Sequence, residues 1–162
     1  MRRRQLLTAS AIAIAGVAGC SGGTGSEDAT ETESGGGGLG TPEAAVSTFY
    51  ETLYGEDDIE GANGLYHPDS EAPELTESNF EPFGGVEAID ASIEGTEVVS
   101  ESDGRVRIHA EVDYSTPAGS AVNTDWFVLR QQDGEWLVSM WLPSSSRSDM
   151  STEEAEGIIE SA

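Results

Sequence analysis

The chain has no lysine. That excludes Schiff-base and pyridoxal phosphate chemistry, and with them the lysine-bearing phosphate loop. It has one cysteine, Cys20, so no disulfide can close within the chain. It has two histidines, His67 and His109. With a single thiol these leave no nitrogen and sulfur set for zinc, and no metal site and no cofactor are expected. Cationic residues are scarce: seven, all arginine, against 31 acids, for a net charge of −24. Binding to nucleic acid needs cations against phosphates, so it is not expected. Attraction to anionic lipid is excluded on the same ground. Nor is there an apolar run of membrane-spanning length. The most apolar stretch, "LLTASAIAIAGVAG" (residues 6–19), falls short of the ~20 residues that a ~30 Å hydrocarbon core requires.

What is present begins with "MRRRQLL". A basic start, a short apolar run and small residues at its end describe an export signal over residues 1–19. Arg3-Arg4 followed by Leu6-Leu7 resembles a twin-arginine signal, an address read by a receptor that exports folded proteins. Val17-Ala18-Gly19-Cys20 resembles the lipobox of prokaryotic lipoproteins. That resemblance implies that Cys20 becomes the new N-terminus and carries lipid on its sulfur. The expected location is the outer face of the cytoplasmic membrane. The membrane is then a partner through the lipid on Cys20, with two chains holding stably at ~0.8 kcal/mol per buried methylene.

After Cys20, residues 21–40 are mostly Gly, Ser, Thr and acid, with Leu39 as the only large apolar residue, so that 20–40 form one segment. They cannot bury enough surface to offset their ordering entropy, and read as a disordered tether of roughly 25 Å reach. Gly35, Gly37 and Gly40 satisfy the dinucleotide spacing G-x-G-x-x-G, but no strand precedes them and the reading is rejected. Removing residues 1–19 takes away three Arg and no acid, which moves the net charge from −24 to −27. Such charge opposes a compact fold. At about 1 M salt the Debye length is ~3 Å and most of the repulsion is screened. Acidity, absence of lysine and the lipoprotein leader together resemble secreted proteins of halophilic archaea, which implies a molar-salt habitat.

Residues 41–143 read as one domain. Thr41 caps a helix, Pro42 opens it and Glu43 favours its positive end. Val46, Phe49, Tyr50, Leu53 and Tyr54 give it one apolar face, and Gly55 ends it. A weaker helix follows with Ile59, Ala62, Leu65 and Tyr66, and then loops. From about residue 86 the period changes to two. A long strand over 86–102, bulged at Gly95, leads to the hairpin pair Asp103-Gly104. "RVRIHAEVDY" alternates, with Val106, Ile108, Ala110, Val112 and Tyr114 on one face. A longer turn, "STPAGS", leads to a third strand, and Asp133-Gly134 turns it into "EWLVSMWL". That fourth strand is apolar on both faces and is expected to be central or covered on both sides.

Helices followed by an antiparallel meander make an α+β fold. The order resembles the nuclear transport factor 2-like superfamily, which includes ketosteroid isomerases and polyketide cyclases. The resemblance rests on "TPEAAVSTFYETLYGEDDIEGANGLYHPD" and "DWFVLRQQDGEWLVSMW" and covers residues 41–142. It implies a cone-shaped roll, with N-terminal helices packed on a curved antiparallel sheet and a cavity between them. It implies no single activity, since the fold hosts enzymes, binders and adaptors.

No motif singles out a catalytic residue. Asp125 is a candidate base, because an inward-facing carboxylate in an apolar strand would have a raised pKa. His109 is another candidate, on the polar face of its strand, and His67 sits in a loop. Tyr50, Tyr54, Trp126 and Trp141 are candidate ligand-binding aromatics. The run Glu56-Asp57-Asp58 lacks the regular calcium loop and reads as a solvated turn. In the tail, 144–162, a serine linker precedes a capping box of Ser151 and Glu154; the segment is either a short helix or disordered. Together these features lead to the expectation of a membrane-anchored extracytoplasmic lipoprotein. Its domain would bind a small, partly apolar ligand or an envelope protein without catalysis. Two alternatives stay open: an isomerase- or cyclase-like enzyme using Asp125 or His109, and a structural accessory of an envelope complex.

Overall fold

The computed structural model describes residues 39–148 and 150–161. The export signal, Cys20 and residues 20–38 of the tether lie outside the described residues. Thr41 Oγ1 accepts the Ala44 amide at 3.2 Å and starts α1, Pro42–Tyr50. The helix does not stop there. It widens into a π-helical turn, Glu51–Gly55, closed by the Glu56 amide on the Glu51 carbonyl at 2.9 Å. Ala45, Val46, Phe49, Tyr50 and Leu53 are buried along one side.

Helix α2, Ile59–Gly64, is capped by Asp58, which accepts the Gly61 amide at 2.8 Å. Gly61 is part of that cap: a Cβ there would stand 2.4 Å from the Asp58 carboxylate. The glycine that weakens the helix by propensity is what lets its cap close. A short α3, Glu77–Phe80, and two 3₁₀ turns, Glu81–Phe83 and Val86–Ala88, then bring the chain to the sheet. The first strand therefore starts later than the alternation suggested, because Val86–Ala88 is coiled.

Strands β1 (Asp90–Ser102), β2 (Arg105–Thr116), β3 (Gly119–Gln132) and β4 (Glu135–Leu142) form one antiparallel sheet in the order β1-β2-β3-β4. Register shifts between Ile93 and Gly95, and between Val98 and Ser100, bulge β1 and help bend the sheet. A third, opposite Val128/Leu129, bulges β4 at Ser139. Asp103-Gly104 and Asp133-Gly134 turn with positive φ at all four residues, as tight hairpins require. The expected longer turn at "STPAGS" is instead a two-residue hairpin. Thr116 pairs with Gly119 around Pro117-Ala118.

β4 is an edge strand and not a central one, but its edge is occupied. The Trp136 amide donates to the Leu39 carbonyl at 2.7 Å, and the Val138 amide donates to the Leu65 carbonyl at 2.9 Å. The His67 amide donates to the Val138 carbonyl at 2.8 Å. The chain around α2 thus hydrogen-bonds along the edge that would otherwise be exposed. Among the described residues no strand pairs with the opposite edge of the sheet, that of β1, which carries Glu94, Glu97 and Glu101.

The main core lies between α1 and one sheet face, with Phe49, Leu53, Ile108, Val112, Phe127 and Leu129 at its centre. A smaller core occupies the other face. There α5, Thr152–Ser161, sets Ala155 and Ile159 against Val128 and Leu142. Ser151 and Glu154 form the capping box at its start, with the Ser151 amide on Glu154 at 2.9 Å and the Glu154 amide on Ser151 at 3.2 Å. Arg105 donates to the Ile159 and Glu160 carbonyls at its far end. Between β4 and α5, α4 (Ser144–Arg147) crosses the end of the sheet. Among the described residues no helix is long and apolar enough to cross a membrane.

Candidate functional site

Asp125 is completely buried, at 0% exposure, in the middle of an apolar strand. Four donors surround it. The Tyr50 hydroxyl reaches Oδ2 at 2.5 Å, the Tyr114 hydroxyl at 2.6 Å and the Trp141 indole N–H at 3.1 Å. The Ser144 amide reaches Oδ1 at 2.9 Å. Four elements converge here: α1 brings Tyr50, β2 Tyr114, β4 Trp141 and α4 Ser144. Buried charge is tolerated only with such satisfaction, and hydroxyl contacts this short are typical of a carboxylate acceptor.

Each phenol has one proton, and the carboxylate takes both at the shortest distances. The Tyr50 and Tyr114 oxygens also stand 3.0 Å apart. Tyr54 stacks on Tyr50 at 5.7 Å between centroids and meets Tyr114 edge-on at 6.0 Å. Burial is the main reason the hydroxyls of Tyr50, Tyr54 and Tyr114 are held well above the usual phenol pKa, with the Asp125 charge adding to it. Burial alone raises Tyr66. All four are therefore neutral phenols at ordinary pH.

A cavity of about 340 Å³ opens beside this cluster. Its walls include Tyr54, Tyr66, Phe80, Tyr114 and Trp141, with Ser144, Ser145 and Ser146 of α4 along one side. Asp125 is not among the lining residues; it sits behind Tyr114, Trp141 and Ser144, all of which are. The lining contains no charged side chain. Among the described residues no group of His, Cys, Asp and Glu has the grouping of a metal site.

The candidate residues divide between the two sheet faces. Asp125, Tyr50, Tyr54 and Trp141 come together. Tyr54 and Trp141 line the cavity, while Tyr50 is buried behind it. Trp126 faces the other way, since it neighbours Asp125 along an extended strand. It is stacked between His109, at 5.0 Å between ring centroids, and the Arg147 guanidinium, 4.3 Å from its centroid. His109 therefore stands across the sheet from the cavity. Partial burial is the first cause of its lowered pKa; Arg147 and Arg107 add to the effect and Glu97 opposes it. His67 is in the loop after α2, its Nδ1 accepting the Asp69 amide at 3.1 Å.

Two members of the cluster were not singled out as site residues. Tyr114 ends the apolar face of β2 in phase with Val112, and that phase was the available signal. Ser144 contributes a backbone amide, which side-chain chemistry cannot reveal.

No family model matches the chain, and no curated protein does. Several solved structures are similar to part of the chain at low identity. Bd1075 of Bdellovibrio bacteriovorus is 12% identical over 62% of this chain and 38% of that one, with a TM-score of 0.46. An NTF-2 like protein of unknown function from Shewanella oneidensis is 9% identical over 62% and 97%, with a TM-score of 0.43. Aln2 from a Streptomyces species is 17% identical over 65% and 93%, with a TM-score of 0.42.

Proposed function

We propose that this chain is an exported lipoprotein whose α+β roll, of the nuclear transport factor 2-like kind, holds a small and largely apolar molecule without transforming it. The observation that carries the reading is the contrast between cavity and carboxylate. The cavity is aromatic, and its volume is at the low end of the ~300–1,000 Å³ usual for small-molecule sites. The carboxylate behind it accepts four hydrogen bonds and does not reach the lining. A general base must come within hydrogen-bond reach of the proton it takes. Asp125 is kept from direct contact with a guest by Tyr114 and Trp141, and His109 lies on the far face of the sheet. The geometry favours binding over turnover.

Native mass spectrometry of the full chain, purified from its own membranes at high salt, tests this reading. A retained small-molecule mass that is recovered unchanged supports it. A bare chain, or release of a chemically altered product, would overturn it.

Anchoring rests on Val17-Ala18-Gly19-Cys20, and the habitat on the charge of −24. Cys20→Ser should move the protein from the membrane fraction to the medium. Circular dichroism should show a fold that gains stability from low to molar KCl. Equal stability at both would remove the halophilic reading.

A further inference from the structure

We propose that the cavity guest is a small organic cation of the quaternary ammonium class, held by aromatic faces and drawn by the Asp125 charge. The inference deepens the binding reading above and rests on it.

The lining contains no charged side chain, yet one hydrogen bond behind it sits a buried carboxylate. On the sheet's far side that charge is felt by the Arg147 guanidinium. On the cavity side no cation among the described residues answers it. A guest carrying positive charge gains from this imbalance, and in a dry site the gain is larger than in water. An anionic guest is repelled, and no arginine, lysine or histidine lines the walls to receive it.

The walls suit a particular kind of cation. Tyr54, Tyr66, Phe80, Tyr114 and Trp141 contribute rings, and Tyr54 meets both Phe80 and Tyr114 edge-on, at 6.2 and 6.0 Å. An aromatic-walled site is how quaternary ammonium groups are recognised. A methylated ammonium is weakly hydrated and fills apolar space.

The hydroxyls point to the same guest. Tyr50 and Tyr114 direct their protons to Asp125, away from the cavity. Donation to a carboxylate also enriches the phenol ring in electron density, which strengthens the negative ring face.

The test is calorimetric titration of the full chain in molar NaCl with choline chloride, and with choline's neutral isostere in which carbon replaces the quaternary nitrogen. Choline should bind on the order of 10-fold more tightly than the isostere. Tyr54→Leu removes one wall without touching Asp125. It should weaken choline several-fold and leave the isostere nearly unchanged. Equal binding of the two probes, or a Tyr54→Leu loss shared by both, overturns the proposal and leaves the pocket reading standing. Binding of neither probe overturns the proposal, while a retained mass in the native spectrum still decides the pocket reading separately.

Discussion

The Ser144 amide donates to Asp125 Oδ1 at 2.9 Å, so the α4 wall of the cavity is tied directly to the buried carboxylate. The carboxylate acts as a hub on which α1, β2, β4 and α4 all terminate a hydrogen bond.

Removing the hub strands its donors. In Asp125→Ala the two phenols can turn to each other across 3.0 Å, but the Trp141 indole N–H and the Ser144 amide are left without their acceptor. Each stranded buried group costs about 1–3 kcal/mol, so a loss on the order of 3 kcal/mol is expected in chemical denaturation. A loss below ~1 kcal/mol would show that the donors find other partners.

The chain's four tyrosines, Tyr50, Tyr54, Tyr66 and Tyr114, all have raised pKa values in the fold. Unfolded, they titrate near ~10. The folded state therefore keeps protons that the unfolded state releases above that pH. This stabilisation is complete below about pH 10 and is lost as pH rises beyond it. Tyrosinate absorbance and loss of circular dichroism should appear together in one alkaline step. Tyrosinate forming near pH 10 in an intact fold would contradict the burial of these hydroxyls.

His109 titrates with the opposite consequence. Its pKa is lowered in the fold, so below about pH 6.5 the unfolded chain binds the proton more readily. Stability should fall as pH drops through that value towards the folded pKa. His109→Gln should flatten this part of the stability–pH curve. An unchanged slope would assign it to the carboxylates.

Arg147 sits over Trp126 and also donates to the Thr124 carbonyl. Arg147→Ala removes both contacts and should release α4, at a cost of about 1 kcal/mol. Hydrogen exchange at the Ser144 amide is the direct readout, and it should speed up there while the amides of β2 stay protected. Arg147→Lys should restore only part of the protection, because an ammonium lacks the flat guanidinium face.

Local chemistry made much of the fold legible. Thr41-Pro42, the two Asp-Gly turns and the Ser151/Glu154 box each encode their geometry within four residues, and all stand where the sequence put them. The alternation in β2 placed Val106, Ile108, Ala110 and Val112 inside. The same parity set Trp126 against its neighbour Asp125, so the two could not share one cavity wall. Three things were not legible. The edge position of β4 depends on strand order and on remote partners, Leu39, Leu65 and His67. The bulge at Ser139 resets the phase, so that Val138 and Trp141, three apart, both face the core. The hub at Asp125 needed all four elements assembled, and one of its donors is a backbone amide.

Fastening α4 at both of its ends has a consequence for traffic. Ser144 holds one end to the inner face of the sheet, and Arg147 holds the other to the outer face. That side of the cavity is a fixed wall. Phe83, a lining residue with 40% of its surface exposed, stands in a short 3₁₀ turn followed by Gly84 and Gly85, both at positive φ. A guest that leaves past Phe83 breaks no hydrogen bond to the carboxylate, whereas one that leaves past α4 must break the Ser144 link. The Phe83 side is therefore the side of the cavity that the carboxylate's hydrogen bonds leave unfastened.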